Sequence, residues 1–165
     1  MYKRQIYTYS VAANGTMTLV GTRVLDGAHP GVDIGAMIPV TVGGQRFLVS
    51  LSLDSDVVRA FAVGANGLLG ATTSMGMPQG LGVADPSAVR TVEMGGVTYL
   101  VVASTISSSI SVIGLAADGS LFVTDHVMDT LDTRFQSVQA VATVKVGERA
   151  FVIAGGADDG LTVMT

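Results

Sequence analysis

The 165-residue chain is 48% hydrophobic, with a mean hydropathy of +0.55, and carries only 13% charged residues and a net charge of −4. It is too apolar for a disordered segment, and an acidic chain without a Lys/Arg cluster lacks the basic footprint that phosphate-backbone recognition requires. No apolar run approaches the roughly 18 residues of a spanning helix, no signal-peptide zones open the chain, and the absence of cysteine excludes disulfides, thiolate metal sites and a cysteine nucleophile. Twenty-one glycines with abundant Val, Ala, Thr and Ser, set against few Glu and Lys, predict an all-β fold.

The first five residues, MYKRQ, are the most basic stretch of the chain. Back-translated as GTG-TAT-AAG-AGA-CAG, they resemble the end of a transposon adapter. Residues 1–5 are therefore expected to be non-native, and they are set aside for the fold.

From there the chain is punctuated at a fixed interval. Asn14-Gly15, Asn66-Gly67 and Asp118-Gly119 recur every 52 residues, and so do Gly43, Gly95 and Gly147 in TVGGQRFLV, EMGGVTYLV and KVGERAFVI. The register holds between these markers: Ala36, Ala88 and Ala140 correspond, as do Phe47, Tyr99 and Phe151, and Tyr9, Phe61 and Ile113. A constant period of this length signals an array in which each unit buries its faces against its neighbours.

Within the unit 88–139 the pattern predicts strands over 88–94, 97–104, 109–116 and 120–127. The first two are joined at Gly95-Gly96 and the last two at Asp118-Gly119, pairs able to supply the positive φ of two-residue hairpins. Four antiparallel strands per tandem unit describe a β-propeller blade. The expectation is an all-β propeller fragment of about three four-stranded blades: 6–35 as the C-terminal half of one, 36–87 and 88–139 as two whole ones, and 140–165 as the start of another. Open edges would then be completed by further chain or by another copy. Pro39 is placed at a strand start, and Pro30, Pro78 and Pro86 in longer loops.

This strand order puts all short hairpins on one rim. The opposite rim carries the long inter-blade loops and the turns LDSD (53–56), TISS (105–108) and ADDG (157–160). Loops on a rigid scaffold are where binding residues concentrate. The second rim collects Asp26, His29 and Asp33, then Asp54 and Asp56, Asp85, Asp129, Asp132 and Arg134, and lastly Asp158 and Asp159. Converging carboxylates could hold calcium through oxygen ligands. GGADDG (155–160) departs from the glycine-aspartate calcium repeat, because Asp158 stands where that repeat needs its third glycine. Solvated acidic loops are the plainer account. His29, beside Asp26 or Asp33, is the candidate general base if the chain is a hydrolase. His126, equivalent to Thr22, is expected on an outer strand surface. No nucleophile elbow, phosphate-binding loop, His-x-x-x-His pair or dinucleotide fingerprint occurs. Asn14-Gly15-Thr16 matches a glycosylation acceptor, which its place in a hairpin explains.

GGVTYLVVAS, SISVIGLAADGSL and FVIAGGADDGLTVM resemble the blades of lactonase-like seven-bladed propellers, the superfamily that includes 6-phosphogluconolactonase. They are still more similar to propeller regions of large secreted bacterial proteins related to RTX toxins. The resemblance covers nearly all of the chain beyond residue 5 and marks blade architecture, so it transfers no catalytic residue. The second resemblance implies an exported, extracellular or cell-surface protein, with the cytoplasm as the alternative. The expected function is a non-enzymatic binding or display module for a small-molecule or carbohydrate ligand; the alternative is a lactonase-type hydrolase of sugar lactones.

Overall fold

A computed structural model describes residues 5–24 and 34–165. Residues 1–4 of the basic start, and Asp26, His29, Pro30 and Asp33, lie outside the described residues. The strands are β1 (Gln5–Val11), β2 (Met17–Val24), β3 (Ile34–Val42), β4 (Gln45–Ser52), β5 (Val57–Val63), β6 (Leu69–Met75), β7 (Pro86–Met94), β8 (Val97–Ser104), β9 (Ser109–Leu115), β10 (Leu121–Met128), β11 (Ala140–Val146), β12 (Arg149–Gly155) and β13 (Leu161–Met164). A 3-10 turn spans Met77–Gln79, and no described residue is in an α-helix. The strands pair antiparallel with their sequence neighbours into four sheets: β1–β2, β3–β6, β7–β10 and β11–β13. The architecture is all-β and β-propeller-like, and the described residues do not close a ring.

Tandem packing explains the apolar run of β8. Its side chains alternate between two cores, so both parities must be apolar. Leu100 and Val102 join Val49, Leu51, Val58 and Ala60 in the core between the β3–β6 and β7–β10 sheets. Val101 and Ala103 join Phe135, Val141 and Ala154 in the core shared with the β11–β13 sheet. The β7–β10 sheet is thus covered on both faces. The β1–β2 pair is covered on one, where Arg23 bonds the Leu69 and Gly70 carbonyls and the Thr72 hydroxyl and lies over the Phe61 ring.

The Gly-Gly connections are two-residue hairpins as expected, with φ of 55° and 80° at Gly43 and Gly44 and of 57° and 78° at Gly95 and Gly96. The Asn-Gly connections are not. Only Gly15, Gly67 and Gly119 have positive φ, at 83°, 80° and 88°. Their N–H groups donate to the carbonyls of Ala12, Gly64 and Ala116, whose own N–H groups donate to the carbonyls of Thr16, Leu68 and Ser120. That is a three-residue loop, a type I turn closed by a left-handed glycine. The side chains of Asn14, Asn66 and Asp118 accept from the N–H two residues on, which holds them in the right-handed turn.

Proline placement also differs. Pro39 lies inside β3, opposite Leu48, and Pro86 opens β7. Both strands form the free edge of their sheet, so a missing N–H breaks no ladder bond. Bulges recur in register as well, between Ile34 and Ala36 in β3 and between Pro86 and Ala88 in β7.

The last sheet departs from the repeat. Ser52 pairs with Val57 and Ser104 with Ser109, but Gly155 pairs with Leu161, so this turn holds one more residue. The one-residue shift turns Thr162 and Met164 toward the neighbouring sheet and leaves Leu161 and Val163 exposed. Gly156 makes it possible: a Cβ there would collide with the Gln136 carbonyl, so only glycine lets this turn lie against the 129–139 loop.

Candidate functional site

The loop rim is built by the links from β4 to β5, β8 to β9 and β12 to β13, together with the loops that follow β6 and β10. Two of its predicted acids are structural. The Asp56 carboxylate accepts the backbone N–H of Asp85 at 2.8 Å, and one period later the Ser108 hydroxyl accepts the N–H of Ser137 at 2.9 Å. All four residues have positive φ, between 46° and 55°. Each pair ties a strand-linking turn to the loop entering the next sheet. Asp54 is exposed and takes no part.

A polar cleft of about 440 Å³ opens farther along this rim, lined by Asp129, Thr130, Leu131, Thr133, Arg134, Gln136 and Asp158. Its floor is anchored by Phe135 and Val138, both fully buried. The Asp129 carboxylate accepts from the Thr133 hydroxyl and from the Phe135 N–H, which curls the loop over this plug. Asp129 donates its N–H to the Ser108 carbonyl at 2.8 Å. The far wall is bonded on: the Arg134 N–H donates to the Thr162 hydroxyl at 2.8 Å, and the Ala157 N–H to the Gln136 carbonyl at 2.7 Å. The cleft is therefore held in shape before anything enters it.

Its free groups are mixed. Asp158 keeps one carboxylate oxygen buried without a hydrogen-bond partner. The Arg134 stem packs over Gly160, and its guanidinium makes no bond to a described residue. A buried acceptor without a partner carries a desolvation penalty that a donor in the cleft would remove. Asp132 and Asp159 are exposed beside the cleft, Asp159 at a φ of 49°. Of the predicted residues, Asp129, Arg134 and Asp158 thus come together here.

Selecting charged residues missed Thr130, Thr133 and Gln136. The signal was the run of polar residues in DTLDTRFQS (129–137), broken only by Leu131 and Phe135. Among the described residues no three His, Asp or Glu side chains gather in a way that could hold a metal ion. His126 is half-buried rather than on the surface, its Nδ1 lying 2.8 Å from the Ser111 hydroxyl. Among the described residues the buried charged side chain is Arg59 on β5, whose pKa is lowered because burial penalises the guanidinium charge.

No family model and no curated protein sequence matches the chain. Among solved structures it is similar to a protein from Lactobacillus plantarum, with a TM-score of 0.59 at 19% sequence identity over 96% of this chain. That likeness shows the fold, tandem antiparallel sheets of β-propeller type. The chain spans 50% of the length of that structure. No described helix is long and apolar enough to cross a membrane.

Proposed function

We propose that the chain is a β-propeller binding module whose ligand site is the cleft between the 129–139 loop and the 156–160 turn. The observation that carries this is the pre-shaped cleft itself, with an unpartnered Asp158 oxygen and the Arg134 guanidinium among hydroxyl and amide groups. A small polyhydroxylated ligand, a saccharide above all, offers the alternating donors and acceptors that such a lining satisfies. Lactonase-type hydrolysis rests on the resemblance of the repeats to that superfamily and on no arrangement within the cleft.

Titration with a panel of monosaccharides, followed by NMR shifts of the 129–137 amides, tests the proposal. Binding should weaken by about tenfold or more in Arg134→Ala, a loss of ~1.4 kcal/mol. Shifts confined to other loops, or an unchanged affinity in that variant, reject the cleft. Hydrolysis of sugar lactones that is lost in Asp129→Asn would replace the binding module with an enzyme.

A further inference from the structure

The 52-residue repeat supplies its own comparison for the cleft. In the preceding unit the positions of Asp129, Thr130, Thr133, Arg134 and Gln136 are held by Met77, Pro78, Leu81, Gly82 and Ala84. The two loops nevertheless share their scaffold. The tie from Asp56 to the Asp85 N–H recurs as the tie from Ser108 to the Ser137 N–H, and Val83 and Phe135 are buried at the same position. Leu81 packs into a core where its counterpart Thr133 instead donates to Asp129. The fold is thus built once without these polar side chains, and their presence in the second loop is not a demand of the scaffold.

The polar set does not satisfy itself. Both bonds that the Asp129 carboxylate accepts, from the Thr133 hydroxyl and the Phe135 N–H, go to Oδ1, so Oδ2 has no partner among the described residues. On the facing turn, Oδ1 of Asp158 is buried and also without a partner. Arg134 lines the same cleft, yet its guanidinium forms no ion pair with either carboxylate. With Asp132 and Asp159 exposed beside them, four carboxylates stand against one guanidinium, a field that a cation complements. No three acids among the described residues gather to coordinate a metal ion. A primary ammonium asks for less, because its three N–H donors need only two separated oxygens and one hydroxyl.

We infer that the ligand of the cleft carries a protonated primary amine, seated between Oδ2 of Asp129 and Oδ1 of Asp158. The inference rests on the reading of the cleft as a saccharide site, and the two together specify an amino sugar. Its ammonium meets the two carboxylates, and its hydroxyl oxygens accept from Arg134 and Gln136.

Glucosamine, glucose and N-acetylglucosamine share one ring and differ at one carbon, which bears an ammonium, a hydroxyl or a neutral acetamide. Each is titrated into the unaltered chain and followed by calorimetry and by NMR shifts of the 129–137 amides. Glucosamine should bind about tenfold or more tighter than the other two. Asp158→Asn keeps the shape of the side chain and removes its charge, and should erase most of that difference. Asp129→Asn should do the same while keeping the Oδ1 acceptor for Thr133 and Phe135. Glucose that shifts the same amides and binds as tightly as glucosamine, or a preference for glucosamine that survives both variants, overturns the ammonium site and leaves the saccharide cleft standing. No shift of these amides with any of the three sugars overturns the cleft and the inference together. Binding of serine that depends on Asp158, where glucosamine does not bind, overturns the amino sugar in favour of an amino acid.

Discussion

Gly67 and Gly119 occupy the same turn position at nearly the same φ, 80° and 88°, but differ in what stands above them. A Cβ on Gly67 would lie 3.7 Å from a Thr8 methyl, an ordinary contact. On Gly119 it would lie 2.9 Å from Cε1 of Phe47, a ring fixed in the core of the preceding sheet. Either alanine substitution imposes a left-handed conformation on a residue with a Cβ, costing about 1–2 kcal/mol. Gly119→Ala adds an overpacking cost of about 1–3 kcal/mol, for a total of roughly 2–5 kcal/mol. For a chain of this size each kcal/mol lowers Tm by about 2–4 °C. Urea unfolding of both variants measures the difference, and Phe47→Leu in the Gly119→Ala background should recover part of it. Equal losses for the two glycines would mean that the Asp118-Gly119 hairpin does not rest on Phe47, and the account of how one blade seats on the next would fail.

Asp118 is exposed, and hydrogen bonds from the side chain and backbone of Ser120 lower its pKa. A depressed carboxylate stabilises the fold above its unfolded pKa, and this contribution is lost as pH falls below about 4. Asp118→Asn, which keeps the acceptor found at Asn14 and Asn66, should be near neutral at pH 7 and flatten the acid limb of Tm against pH; an unchanged limb refutes the assignment. Asp56→Ala removes the acceptor for the Asp85 N–H and leaves alanine at a φ of 49°, a destabilisation of about 1–3 kcal/mol. Asp56→Asn should restore most of that in the same denaturation assay. Hydrogen exchange should be slowest in β8 and β9, buried on both faces, and fastest in β1 and β2; protection in β2 equal to that in β8 would contradict stability built from neighbouring sheets.

What could be read from the chain was what each residue settles locally. The Gly43-Gly44 and Gly95-Gly96 pairs permit the positive φ of a two-residue hairpin, and the apolar positions of both parities in TYLVVA require two covered faces, so strands, turns and tandem packing followed from the sequence. The turn at Asn14 was misjudged because an Asn-Gly pair suits both the two-residue and the three-residue hairpin. The choice falls to the bond from the Asn side chain to the Thr16 N–H. Asp56 and Asp85 were both expected among the acids of the loop rim, because residue type does not reveal that the side chain of one caps the backbone of the other. The shift in β13 depends on Gly156 meeting Gln136, twenty residues away in sequence, a contact that no local pattern encodes.

The two rims differ in how much of their surface the fold already uses. On the hairpin rim, Gly119 rests on Phe47, Gly43 faces Ala117, and the Thr73 hydroxyl bonds the Gly119 carbonyl, so these turns are joints between neighbouring sheets. On the loop rim the ties gather on the short turns, where Asp56 holds the Asp85 N–H and Thr105, Ser107 and Ser108 bond the segments at 84–85 and 129–138, and the exposed side chains of the longer loops are left to vary. The 129–139 loop shows the division within a single segment. Phe135 and Val138 are committed to the core, while Thr130, Arg134 and Gln136, interleaved with them, face the cleft. Substitutions at the first pair change stability, and substitutions at the second set change what the cleft can hold.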